Sequence, residues 1–420
     1  MVKIKEIKAR QVFDSRANPT IETEIETNKG KFSAMVPSGA STGKHEAIEL
    51  RDNAKEFFGK GVLKAVRNVN TIIAKKIVNN NYANQEELDN ELIKLDGTKN
   101  KSKLGANAIL STSMAFARAI AKENNLDLHE YFAKKYKAKQ LLPIPQMNII
   151  NSGKHAGKEN DVQEHMIIPA KFNSYSEALR AGIEVYYTLK KSLKQKFGEQ
   201  GTLLGDEGGF APKIESLEER LELLLACIRE AGYEKKVLIG LDCASSEFYK
   251  NEKYTIGKKE YSATELIDYY KELCEKYNIV SIEDGFAEDD FEAWKEFNNK
   301  LGKKIQIVGD DILVTNVERI QKAVQEKLCN ALLLKINQIG TITEAIEAGE
   351  TARKNEWKVI VSHRSGETED NFIADLVVGL GYGQSKFGAP ARSERTAKYN
   401  RLLKIEENLG TKAIFPKNIL

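Results

Sequence analysis

The chain has 420 residues, 41% hydrophobic and 30% charged, a composition that fits a folded protein with a sizeable core and room for a minor domain beside a major one. Its 64 basic and 61 acidic residues leave a formal net charge of +3, which excludes a general electrostatic attraction to nucleic acid or to an anionic membrane, so any anion site is local. No apolar run is long enough to span a bilayer, Met1 to Arg10 has no secretory apolar stretch, and Cys227, Cys243, Cys274 and Cys329 are too scattered for a zinc or redox pair, so they read as buried thiols of a cytoplasmic protein.

From Lys3 to Val36 the residues alternate as strands do, with Asn28-Lys29-Gly30 as a hairpin turn between runs 21–27 and 31–36. Val62, Val66, Val69, Ile73 and Ile77 then recur at helical spacing, and the Ala-rich stretch 104–121 predicts a second helix. A Lys-rich polar stretch followed by Pro143 and Pro145 marks a domain boundary, giving an N-terminal α+β domain over 1–137 and a catalytic domain over 138–420.

Beyond the boundary, short apolar runs alternate with amphipathic helices, several opened by capping boxes such as Ser174 with Glu177 and Ser262 with Glu265. Runs 237–242, 279–283, 305–310, 331–335, 359–363 and one ending near Lys386 are each followed by a helical segment, the rhythm of parallel βα units. Their last residues are Asp242, Glu283, Asp310, Lys335, His363 and Lys386. In a β/α barrel catalytic groups sit where strands end, and six such ends converge more readily around a ring than along the open doubly wound sheet that is the alternative.

Three carboxylates closing apolar runs, Asp242, Glu283 and Asp310, must be paired or bound to something positive, unless each only caps the following helix. Oxygen-only ligands point to a hard cation, and Mg²⁺ suits a few carboxylates completed by water and substrate. Lys335 and Lys386 end apolar strands, where burial and a second cation lower an ammonium towards the pKa of a general base; salt bridges to the same acids are the competing reading. LLGDEGGF sets Asp206 and Glu207 on a glycine-rich loop, and VQEHM supplies Gln163 and Glu164; two carboxyls brought together leave one protonated, able to donate to a leaving hydroxyl. In VSHRSGETED, His363, Arg364 and Ser365 follow a strand and precede a helix, where an arginine fork, a hydroxyl and backbone amides receive phosphate. His155 lies in NSGKHAGK, which reads as a mobile loop rather than a burial site. VPSGASTGKHE is not a phosphate-binding P-loop, since its glycines are one residue too close and His45 follows the lysine; a loop that closes over a site and offers Ser41 fits better.

Together the segments DSRANPT, VPSGASTGKHEA, KHAG, QEHM, GDEGG, GLDCASSEF, SIEDGFAEDD, VGDD, LLLKINQIGT, SHRSGETED and GAPARSER resemble the motif series of the enolase family, in order, from Asp14 to Arg395. The resemblance implies a smaller N-terminal α+β domain on a TIM-like β/α barrel with modified first elements, at least a homodimer, and a glycolytic and gluconeogenic lyase. Its reaction would be the reversible Mg²⁺-dependent dehydration of 2-phosphoglycerate, a small phosphorylated carboxylate, to phosphoenolpyruvate. By motif, Asp242, Glu283 and Asp310 would hold one Mg²⁺, and Ser41 would help hold a second that arrives with substrate. Lys335 would take the C2 proton. Glu207, assisted by Glu164, would protonate the C3 hydroxyl, with His155, Gln163, His363, Arg364, Ser365 and Lys386 holding the substrate. The family also acquires secondary binding roles at cell surfaces, for which nothing in this sequence defines a partner. Two departures stand out: Gly285 where many relatives have proline, and a charged stretch 158–161 before the Gln-Glu pair.

Overall fold

The computed structural model describes residues 1–39 and 43–419. Strands β1 (Glu6–Phe13), β2 (Pro19–Thr27) and β3 (Gly30–Met35) form an antiparallel sheet. Thr27 pairs with Gly30, so the hairpin turns on Asn28-Lys29 and β3 begins one residue earlier than the sequence reading had it. Along β2, Ile21, Thr23 and Ile25 point to the buried face, the period of two that a half-buried strand requires. The first helical pattern becomes α1 (Leu63–Asn68), continued through a π-helical turn at Val69–Ile73. Helices α2 (Gln85–Asp96), α3 (Ala106–Glu123) and α4 (Leu128–Tyr136) complete the domain. The small side chains of α3 suit its place between the sheet and the major domain, where Thr23 and Ser111 share a buried hydrogen bond at 2.6 Å.

The major domain is a closed eight-stranded barrel: β4 (Ile144–Asn151), β5 (Glu164–Pro169), β6 (Val237–Asp242), β7 (Ile279–Glu283), β8 (Gln306–Gly309), β9 (Ala331–Leu334), β10 (Lys358–Ser362) and β11 (Gly383–Lys386). The six runs read from the sequence are β6 to β11, all parallel with their neighbours in that set. The first two strands went unread, and β5 is antiparallel to both β4 and β6. Two helices follow β5, α5 (Tyr175–Phe197) and α6 (Leu217–Glu230), before the regular alternation begins. Ser262 and Glu265 form a reciprocal capping box, while Ser174 caps Glu177 and the Glu177 carboxylate turns to the Asn173 amide.

The reversal of β5 decides the site. Because that strand runs backwards, its first residue, Glu164, lies at the mouth where the parallel strands end, in register with Asp242, which pairs in turn with Glu283. The minor domain docks over the same mouth. Arg118 forks onto Asp370 at 2.8 Å through both terminal nitrogens, Ser38 bridges Gly366, and Asp89 accepts from the Thr343 amide at 2.9 Å. Cys227, Cys243 and Cys329 are buried, Cys274 is half-buried, and all are free thiols. Among the described residues no helix is long and apolar enough to cross a membrane.

Candidate active site

The strand ends surround a small polar cleft lined by His155, Gln163, Glu164, Glu207, Asp242, Asp310, Lys335, His363, Arg364, Ser365 and Lys386. Glu283 adjoins it through Lys386, and Ser41 lies outside the described residues. On one side buried ammonium groups meet carboxylates. Lys386 Nζ sits 2.8 Å from Glu283, 2.9 Å from Asp242 and 3.0 Å from Glu164, and Lys335 Nζ donates to Asp310. The salt-bridge reading of the lysines therefore holds in this arrangement, and the expected lowering of their pKa does not. Burial does act downward on Lys335, yet Asp310 and Glu283 outweigh it, and the three carboxylates around Lys386 hold that ammonium well above the usual lysine range.

Negative charge is in excess here. Asp284 and Asp311 stand behind Asp310, and an oxygen from each of these three aspartates lies within 4.8 Å of the others. Asp284 is partly occupied by the amides of Asp310 and Asp311, each at 2.9 Å, whereas burial and Asp310 push Asp311 up to about 8. The three clustered aspartates form an all-oxygen donor set that a hard divalent cation fits, while Asp242 and Glu283, the other two expected ligands, are engaged by Lys386 and fall outside that cluster. Asp242 Oδ1 also accepts from the Ala244 amide at 3.0 Å, so the capping alternative accounts for one of its oxygens.

Across the cleft the carboxyls face imidazoles. A His155 nitrogen and one oxygen each of Glu164 and Glu207 lie within 4.8 Å of one another. The glycine loop can deliver Glu207 because a Cβ on Gly209 would come within 2.8 Å of the Asn148 carbonyl, an approach that only glycine allows. Glu207 then accepts from Asn148 Nδ2 at 3.0 Å and lies 3.3 Å from His363 Nε2. Burial pushes Glu164 well up, reinforced by Glu207, while His363, His155 and Arg395 outweigh burial and hold Glu207 well below the ordinary range. His155 is itself buried, where the sequence suggested it would not be, because its loop folds into the mouth. Burial lowers its pKa and takes that of His363 down to about 3.

Arg364 forks onto Glu46 of the minor domain at 3.0 and 3.1 Å and donates to Asn337, so its guanidinium is engaged by a carboxylate of the kind it would recognise in a ligand. Residue-by-residue reading missed Arg395, which is fully buried. It donates to His363 Nδ1 at 2.7 Å and to the carbonyls of Arg364, Ser365 and Asp206. Since a guanidinium can only donate, the proton of neutral His363 resides on Nε2, facing Glu207. The GAPARSER motif was the available signal. Asp206 sends its carbonyl to Arg395 and takes no place in the cleft lining. Gly285 has a packing reason, since a Cβ there would come 3.0 Å from the Phe297 ring.

Fold and site define a β/α-barrel enzyme whose chemistry lies among buried carboxylates, lysines and histidines, with an acidic cluster compatible with a metal. Residues 4–132 match the family model "Enolase, N-terminal domain" and residues 139–418 match "Enolase, C-terminal TIM barrel domain". An enolase of Methanocaldococcus jannaschii is 53% identical over 410 residues, 97% of this chain and 96% of that one. The chain belongs to the enolase family. It is a hydro-lyase for the dehydration of 2-phosphoglycerate to phosphoenolpyruvate.

Proposed function

We propose that the two sides of the cleft divide the dehydration between them, the lysine side removing the C2 proton and the carboxyl–histidine side protonating the C3 hydroxyl. The observation that carries this is the placement of Lys335 and Lys386 on one side of a small chamber and of the Glu164–Glu207 carboxyl pair with its imidazoles on the other. Asp242, Glu283 and Asp310 hold one Mg²⁺, and Ser41 contributes to a second that joins with substrate. When bound, Mg²⁺ supplies electrostatic stabilisation of the extra negative charge that develops on the substrate carboxylate. Lys386 adds a fixed positive charge beside the same carboxylate.

Lys335 is the base. Burial, Arg364 and Lys386 already act to lower its pKa, and Asp310 is the foremost partner holding it up, so a cation that engages Asp310 would lower the pKa of Lys335 and leave more of it as the free amine. Glu207 delivers the proton to the leaving hydroxyl. Burial and the Glu207 charge raise Glu164, so the proton is held in the pair the two carboxyls form, and they titrate as a unit. Arg364, Ser365 and the loop amides take the phosphate, with His155, Gln163 and His363 completing the substrate contacts; Gln163 Oε1 has no protein partner among the described residues.

The reading includes the division into residues 1–137 and 138–420, at least a homodimer, and a cytoplasmic location. It is tested by ultraviolet absorbance on mixing the protein with 2-phosphoglycerate and Mg²⁺. An absorbance rise that a chelator abolishes is expected. A rise that persists under chelation contradicts the metal assignment, and no rise from folded, metal-supplied protein contradicts the division of labour.

A further inference from the structure

The charged stretch 158–161 takes no part in the chemistry above, and its last residue has a partner far along the chain. Asp161 lies against Arg220 of α6, a side chain that is 1% exposed. Arg220 Nη1 donates to Asp161 Oδ2 at 2.7 Å, to Ser152 Oγ at 3.0 Å and to the Ile214 carbonyl at 3.0 Å. Its Nη2 also donates to Asp161, and Nε donates to His165 Nε2 at 3.0 Å. Ser152 Oγ in turn donates to Asp161.

The partners follow a pattern. Ser152 and Asp161 are the two ends of the loop that carries His155, and His165 follows Glu164 at the start of β5. One buried cation therefore ties both ends of the His155 loop to the strand that presents Glu164. The loop has little else of regular structure, a single 3₁₀ turn at Gly153–Ala156, and its further outside ties lie nearer the surface: the Gly257 amide to the Asn160 carbonyl at 2.7 Å, Lys158 Nζ to the Ile214 carbonyl at 2.9 Å and Lys154 Nζ to Glu247 at 2.9 Å. Helix α6 packs through Leu217, Leu221 and Leu224, and an apolar residue in place of Arg220 would serve that packing as well. What an apolar residue cannot do is fix three backbone segments at once, because only a planar fork of donors reaches all of them.

We propose that Arg220, with Asp161 as its counter-ion, is a positioning residue for the dehydration, holding His155 and Glu164 in the arrangement from which the leaving hydroxyl is protonated. This rests on the assignment of His155 and Glu164 to the leaving-group side. Neither Arg220 nor Asp161 lines the cleft, so each acts through the groups it positions, and the loss is expected mainly in turnover.

The test compares Asp161→Asn, which keeps the shape and removes the charge, with Arg220→Met, Arg220→Lys and the control Arg229→Ala on the same helix, whose exposed partner is Glu234 at 3.2 Å. In the intact protein, Asp161→Asn and Arg220→Met lower kcat by about 10- to 100-fold with KM changed less than about threefold. Backbone amides of 153–161 exchange with deuterium about tenfold faster or more, as a loosened loop requires. Arg220→Lys recovers part of kcat, and Arg229→Ala matches the parent on every measure. If kcat stays within about twofold of the parent in folded Asp161→Asn and loop exchange is unchanged, the role is structural only and the proposal falls, whatever the melting temperatures; Asp161→Asn decides the matter if Arg220→Met does not fold. Failure of the unmutated protein to turn over 2-phosphoglycerate has a different signature, since it overturns the leaving-group assignment before any variant is compared.

Discussion

On one side of the chamber Lys335 and Lys386 face Asp242, Glu283 and Asp310; on the other, His155 and His363 face Glu164 and Glu207. Both sides are buried apart from the half-buried Lys335, and both pair carboxyls with nitrogen bases. They differ in what burial does to the base. An ammonium group starts from 10.5 and stays charged among carboxylates, whereas an imidazole starts from 6.5 and loses its charge when desolvated, as His363 does at about 3. Glu164 lies on the seam, within 3.0 Å of Lys386, yet burial and Glu207 still drive its pKa up. Neighbouring charge alone does not decide the outcome, since beside the same Lys386 burial drives Glu164 and Glu283 well up while Asp242 is held low.

Removing Lys335 breaks the comparison at its most consequential point. Lys335→Ala is expected to lower kcat by about 10³- to 10⁴-fold, roughly 4–5.5 kcal/mol of transition-state stabilisation, with the fold intact, as steady-state kinetics and circular dichroism would register. Lys386→Met leaves Asp242, Glu283 and Glu164 without their shared cation, and urea denaturation without metal should show a loss of about 3–5 kcal/mol. On the imidazole side, Glu207→Gln should cost about 10²- to 10³-fold in kcat, because it removes one proton carrier from a pair.

The smallest effect sharpens the contrast through pH. Glu164 is raised above 4.5, so its contribution to stability is complete below that value and declines as pH rises through its folded pKa. Asp242 is lowered below 3.8, so its contribution is complete above that value and declines as pH falls through its folded pKa. Denaturation series across pH should give slopes of opposite sign for the two, Glu164→Gln flattening the neutral-side decline and Asp242→Asn the acid-side one.

The part of this arrangement legible in the sequence is the part that is local. Strands β6 to β11 announce themselves because each apolar run ends on a charged or polar residue and leads into a helix, and their ends supply most of the site. Strands β4 and β5 escape because a helix-poor loop joins them and β5 runs against the expected direction, which is also why Glu164 reaches the mouth from the start of its strand. Contacts across long separations leave no local trace: Glu46 on Arg364, Arg395 on His363, Arg220 on Asp161. For the lysines the sequence left two readings open, a lowered pKa and salt bridges to the strand-end acids, and the salt bridges are what the arrangement shows, because which carboxylate reaches which ammonium is set by the closure of the barrel. The Ser41 reading falls on residues outside those described.

The division of labour is tested most directly by following loss of the C2 proton of 2-phosphoglycerate to deuterated solvent, by NMR, in Lys335→Ala and Glu207→Gln with Mg²⁺ present. The account expects Glu207→Gln to exchange the C2 proton while forming little phosphoenolpyruvate, and Lys335→Ala to do neither. Exchange that survives in Lys335→Ala, or that vanishes in Glu207→Gln while the protein remains folded and binds substrate, would contradict it.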